Sequence, residues 1–134
     1  MHITLQQLDA LRERAFDAAS RAYAPYSGFH VGAALLASDG NIYLGCNVEN
    51  ASYGLTNCAE RSAVFAAIQS VVGDRKNLIH AMVIVNHKRT PMPPCGACRQ
   101  VLLEFGSNGV ISFQGIDGEK TMKIIDLLPE AFML

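Results

Sequence analysis

Charge is scarce in this sequence. Only 17% of the 134 residues are Asp, Glu, Lys or Arg, and the formal net charge is −1. No overall field therefore draws in DNA, RNA or an acidic membrane surface. Long apolar runs are missing too. Stretches such as 31–37 and 81–85 fall well short of the ~18 apolar residues of a membrane span. The N-terminus, Met1-His2-Ile3-Thr4-Leu5-Gln6-Gln7, lacks the basic and then apolar regions of a secretory signal. A soluble, cytoplasmic protein with no membrane or nucleic-acid partner is the expectation. No internal repeat, low-complexity tract or linker divides the chain, so residues 1–134 are expected to form one domain. Half of the residues are hydrophobic, which excludes intrinsic disorder and supplies a core without disulfide staples. So little charge also points to faces buried between subunits.

Thr4 is the expected N-cap of a first helix, with Leu5, Leu8, Leu11, Ala15, Ala18, Ala19 and Ala22 at helical spacing. The turn-rich Ala24-Pro25-Tyr26-Ser27-Gly28 ends it. Residues 29–37 read as an apolar strand, Ser38-Asp39-Gly40-Asn41 as a hairpin turn, and Ile42–Cys46 as the return strand. A polar loop over 47–56 follows. Asn57 is the expected cap of a second helix over about 58–72. Residues 81–86 read as a buried strand, 87–94 as an irregular loop with three prolines, and 95–105 as a third helix. Strands are expected over 110–113 and 122–124, and a closing helix over 125–131 with Pro129 awkward inside it. Helices alternating with strands predict an α/β sandwich with some parallel pairing.

Four cysteines are present. In a reducing compartment, clustered cysteines are more often metal ligands or catalytic groups than disulfides. Cys58 is followed two residues later by Glu60, and Pro94-Cys95-Gly96-Ala97-Cys98 supplies a Cys-x-x-Cys pair. Both sites fall at expected helix N-termini, where about +0.5 charge and free N–H groups stabilise thiolate. Three thiolates and one Zn²⁺ sum to a net −1, so that help has a use. Arg61 and Arg99 adjoin the two sites and could donate to the sulfurs. Zinc with three protein ligands keeps a fourth position for water, whose pKa it lowers to about 7. Glu60 is well placed to move that water's proton but poorly placed to join the same coordination face. Taken alone, Cys-x-x-Cys also fits a redox pair or half of a structural zinc knuckle. Cys46 could close a structural Cys₄ site, although a buried small hydrophobe at a strand end is the simpler reading. None of His2, His30, His80 and His87 sits at a recognised ligand spacing.

In combination these blocks resemble the small, homotetrameric cytidine deaminases. The resemblance is carried by Ala22-Tyr23-Ala24-Pro25-Tyr26-Ser27, Phe29-His30-Val31-Gly32-Ala33-Ala34 and Gly45-Cys46-Asn47-Val48-Glu49-Asn50-Ala51-Ser52-Tyr53. It continues in Cys58-Ala59-Glu60-Arg61, Pro94-Cys95-Gly96-Ala97-Cys98-Arg99-Gln100 and Leu127-Leu128-Pro129-Glu130-Ala131-Phe132. It implies a three-layer α/β/α sandwich around a central mixed sheet. It implies one zinc per subunit on Cys58, Cys95 and Cys98, with Glu60 as the proton shuttle. Asn47 and Glu49 would hold the ribose 3′-hydroxyl, Phe29 would line the nucleoside pocket, and the backbone at Ala59 would read the base. Phe132 would stack on the pyrimidine in a neighbouring subunit. The implied reaction is deamination of cytidine and 2′-deoxycytidine, as in pyrimidine salvage. A related aminopyrimidine such as blasticidin S is the rival substrate, and a structural zinc module is the rival outside enzymology. On the residues alone, Phe29 and Phe132 also read as core aromatics, and Asn47 and Glu49 as loop caps.

Overall fold

The computed structural model describes residues 2–134. Thr4 caps the first helix, α1 (Leu5–Ala19), through a reciprocal box. Its Oγ1 accepts from Gln7 N at 3.1 Å, and its own N–H donates to Gln7 Oε1 at 2.9 Å. The hairpin β1 (Val31–Ala37) and β2 (Ile42–Cys46) forms where expected, although β1 starts two residues later than 29. Next come α2 (Ala59–Ser70), β3 (Ile79–Asn86) and α3 (Gly96–Gly106). The chain closes with β4 (Val110–Gly115) and β5 (Gly118–Lys123).

The five strands lie in the order β2-β1-β3-β4-β5. Only β3 and β4 pair in parallel, across the α3 crossover; the other three pairings are antiparallel. The expected mixed sheet and three layers are both present. On one face, Ala33, Leu35, Met82, Ile84, Ile111 and Phe113 pack with Ala59, Ala63, Val64 and Ala67 of α2 and Leu102 of α3. On the other, Ala34, Ala81, Val83 and Val85 pack with Leu8, Leu11, Ala15 and Ala19 of α1. Successive strand residues serve opposite layers. Strands β1 and β3 are buried on both faces, and this explains their continuous apolar runs.

Three expectations are corrected. The closing helix over 125–131 is a single 3-10 turn, Ile124–Leu127, because Pro129 lacks the N–H a helix would use there. The strand over 122–124 is the end of the longer β5, whose polar sequence Gly-Glu-Lys-Thr-Met-Lys suits a sheet edge. Asn57 does not cap α2. Cys58 occupies the N-cap position, while the Asn57 backbone exchanges two hydrogen bonds with Val48, at 2.9 and 3.0 Å.

Candidate metal centre and active site

Helices α2 and α3 bring their N-termini together on one side of the sheet. Cys58 caps α2 and Cys95 caps α3, each with extended backbone and no side-chain capping bond. Cys98 sits in the first turn of α3, fully buried. The Sγ atoms of Cys58, Cys95 and Cys98 all lie within 4.8 Å of one another. The Cys58–Cys95 separation is 3.8 Å. A tetrahedral zinc with Zn–S bonds of about 2.3 Å requires an S···S edge of about 3.8 Å. The three thiols therefore fit zinc by distance as well as by donor softness. Cys46 is not part of this group. It is half-buried at the end of β2, and its thiol donates to Arg21 O at 3.6 Å. Among the described residues no histidine joins the cluster.

Electrostatics around the sulfurs favour a bound cation. A hydrogen bond from Cys98 pulls the Cys58 thiol down to about 5, and Arg61 assists, its Nη2 donating to Cys58 Sγ at 3.3 Å. The same contact pushes the Cys98 thiol well above the usual thiol range. A divalent ion binding these three sulfurs as thiolates displaces whatever thiol protons remain. Arg99 departs from expectation. Its Nε donates to Pro94 O at 2.7 Å and its Nη1 to Leu127 O at 2.9 Å. It ties the approach to Cys95 to the C-terminal segment and does not touch the sulfurs.

Glu60 is only 4% exposed, although it carries a carboxyl group. Burial raises its pKa to about 7, and the neighbouring Cys58 charge adds to the shift. An acid balanced near neutral pH can accept and return a proton in one cycle. Ala59, between Cys58 and Glu60, is fully buried.

The end of β2 supplies the second wall. Gly45 abuts the α2 backbone, and Asn47 and Glu49 follow just beyond the end of β2, where their side chains bond the 26–31 segment. Asn47 is buried; its Oδ1 accepts from Val31 N and its Nδ2 donates to Phe29 O, both at 2.8 Å. Glu49 Oε1 accepts from Tyr26 N at 2.9 Å and Ser27 N at 3.1 Å, and Oε2 accepts from Ser27 Oγ. These bonds, led by Ser27, hold the Glu49 carboxyl below its ordinary pKa. Phe29 is half-buried against the core, its ring 5.8 Å from that of His87. Phe132 lies apart, 71% exposed, with its carbonyl accepting from Gln100 Nε2 at 3.0 Å. Asn86 was not anticipated. Buried at the end of β3, its Oδ1 accepts from Lys88 N, Thr90 N and Thr90 Oγ1, and its Nδ2 donates to Thr90 O. It folds the loop that leads to Cys95.

Residues 5–114 match the family described as the cytidine and deoxycytidylate deaminase zinc-binding region. The chain belongs to this deaminase family. It is 46% identical over 124 residues to the cytidine deaminase of Halalkalibacterium halodurans, covering 91% of each chain. The cytidine deaminase of Mycobacterium tuberculosis is 47% identical over 124 residues, 92% of this chain and 88% of that one. Among solved structures, the cytidine deaminase of Burkholderia pseudomallei aligns with a TM-score of 0.84 and 45% identity, over 97% of this chain and all of that one. The chain is accordingly a zinc-dependent deaminase, a hydrolase acting on a carbon–nitrogen bond. One zinc per subunit fits the three-thiol group. No helix among the described residues is long and apolar enough to cross a membrane.

Proposed function

We propose that this deaminase hydrolyses cytidine and 2′-deoxycytidine to the corresponding uridines and ammonia. The observation that carries the substrate is the unused hydrogen-bonding capacity of Asn47 and Glu49. An amide nitrogen has two N–H groups and an ionised carboxylate about four acceptor sites. Asn47 Nδ2 spends one N–H on Phe29 O, and Glu49 spends three acceptor sites on Tyr26 and Ser27. One N–H of Asn47 and one acceptor site of Glu49 remain, beside the second lone pair of Asn47 Oδ1, and a single sugar hydroxyl, which both donates and accepts, matches the N–H and the carboxylate site. The resemblance to the cytidine deaminases makes that hydroxyl the ribose 3′-OH. Val48, between the two residues, is bonded to Asn57, the neighbour of Cys58, so sugar site and metal site share one backbone frame.

Cys58, Cys95 and Cys98 hold the zinc, with Arg61 offsetting their charge. When bound, zinc supplies a Lewis acid that makes water a nucleophile near neutral pH. Phe29 flanks the base and the backbone at Ala59 reads its edge. Glu60 takes a proton from the attacking water and delivers one to ring N3. Water oxygen bonds to C4. Glu60 then carries the proton of the new C4 hydroxyl to the exocyclic amino group; the C4–N bond breaks, C4=O forms, and ammonia leaves. A substrate panel tests the assignment. Cytidine and deoxycytidine are expected to react, and deoxycytidylate, blasticidin S, adenosine and single-stranded DNA to be poor or inert. Preference for any of the last four would overturn the substrate.

Phe132 closes the pocket of a neighbouring subunit in a homotetramer. In support, it is exposed in the isolated chain, as are Tyr23, Tyr26, Tyr53 and Leu55 on the β2–α2 side. Such a set of aromatics is what an interface core uses. Phe132→Ala is expected to raise KM for cytidine about two- to tenfold, the worth of one aromatic stacking contact, with zinc content unchanged. An unaltered KM, or a monomer by sedimentation, would contradict the shared pocket.

A further inference from the structure

The structure assigns Gly45 as a positioning residue for the catalytic helix: its missing side chain sets the depth of α2 and so places Cys58 and Glu60 against Cys95 and Cys98. The inference rests on the reading of the site given above. A Cβ at Gly45 would lie 2.3 Å from Ala59 O, 2.3 Å from Ala63 N and 2.9 Å from Ala63 Cα. All three atoms are backbone, and none can rotate away. Ala59 O and Ala63 N are the i and i+4 partners in the first turn of α2. Gly45 therefore lies directly under the turn that carries Cys58 as its cap and Glu60 as its second residue.

Gly45 is not required by backbone conformation, because the glycines with positive φ are Gly28, Gly40, Gly73 and Gly118. Space alone demands it. The seam is completed from the helix side by Ala59, Ala63 and Ala67, all fully buried. The other two thiols stand on α3, an element with its own supports, including the Arg99 tie to Pro94 and Leu127. Displacing α2 thus changes the Cys58–Cys95 separation of 3.8 Å, which is the tetrahedral edge zinc needs.

The opposite sheet face contains a control. A Cβ at Gly32 would lie 1.9 Å from Ala15 O and 2.5 Å from Ala19 N, which is the same kind of clash against α1. Helix α1 carries no site residue. Zinc affinity by competition with a chromophoric chelator, melting temperature, kcat and KM for cytidine are measured on wild type, Gly32→Ala and Gly45→Ala. Both variants are expected to melt lower. Gly32→Ala keeps zinc affinity and kcat within twofold of wild type, and Gly45→Ala loses at least tenfold in zinc affinity and more in kcat than in KM. If either glycine variant does not fold, Ala63→Ser replaces Gly45→Ala and Ala67→Ser, one turn farther from the site, replaces Gly32→Ala, with the same ordering expected. Equal zinc affinity and kcat within a pair would overturn the positioning role. A wild type that neither binds zinc nor turns over cytidine would instead overturn the reading of the site.

Discussion

Glu60→Gln is expected to lower kcat for cytidine on the order of 10²- to 10⁴-fold, the range of a lost general acid–base group, with the zinc still bound and the fold intact. The reasoning begins with burial. Glu60 is 4% exposed, and removal from water raises its pKa to about 7. A neutral amide of nearly the same shape suffers no such charge desolvation, so the melting temperature should hold or rise. The sulfurs are untouched, because Glu60 is not one of the three ligand residues. What the amide cannot do is accept a proton from water and return it to N3 and then to the leaving amine. Zinc content by elemental analysis, melting temperature and kcat together check this. A variant that keeps its turnover would remove Glu60 from the mechanism. One that loses zinc would make it a structural partner of the metal.

Cys95→Ala should have an equally large effect by a different route. Cys95 is exposed, so truncating it removes little packing. Any loss of stability therefore reports the metal. A ligand bound only by the folded state stabilises it by RT ln(1 + [L]/Kd), about 2.7 kcal/mol at a hundredfold excess over Kd and about 4.1 at a thousandfold. Wild type should gain melting temperature on zinc addition, whereas Cys95→Ala should gain little and show no deamination. Two thiols cannot offer the three-ligand face that leaves one coordination position for water. Retention of stoichiometric zinc by Cys95→Ala would exclude the three-thiol site.

The three thiols and Glu60 are legible in the sequence because their chemistry is local. Cys-x-Glu and Cys-x-x-Cys each lie within one helical turn, and both fall where the polar loops end and apolar periodicity begins. The α1 helix and the β1–β2 hairpin are legible for the same reason, through the Thr4 cap and the Asp39-Gly40 turn. What escapes a linear reading depends on partners distant in the chain. Arg61 and Arg99 look alike beside their cysteines. Only the fold shows that one reaches Cys58 Sγ and the other Pro94 O and Leu127 O. Asn86 is an ordinary strand-end residue until the loop returns Thr90 to it, with Arg89 in the left-handed region at φ 54°. Gly45 is unremarkable until α2 is laid across it. The β5 edge is hidden by its polarity, since a solvated edge strand has no apolar alternation to report.

For Asn47 and Glu49 the bland reading as loop caps does not exclude the sharp one as a sugar site. Each side chain does tie down loop backbone, as a cap would. Yet the same bonds leave Glu49 one acceptor site and Asn47 an N–H and a lone pair, and hold both rigidly, the preorganisation a binding site needs.

The measurement that bears most directly on the whole account is turnover of cytidine by the zinc-loaded protein, followed by absorbance in the cytosine band and by ammonia release. The account predicts one uridine and one ammonia per cytidine consumed, loss of the reaction when a chelator removes the zinc, and its return when zinc is restored. Zinc-loaded, folded protein that leaves cytidine unchanged would contradict it.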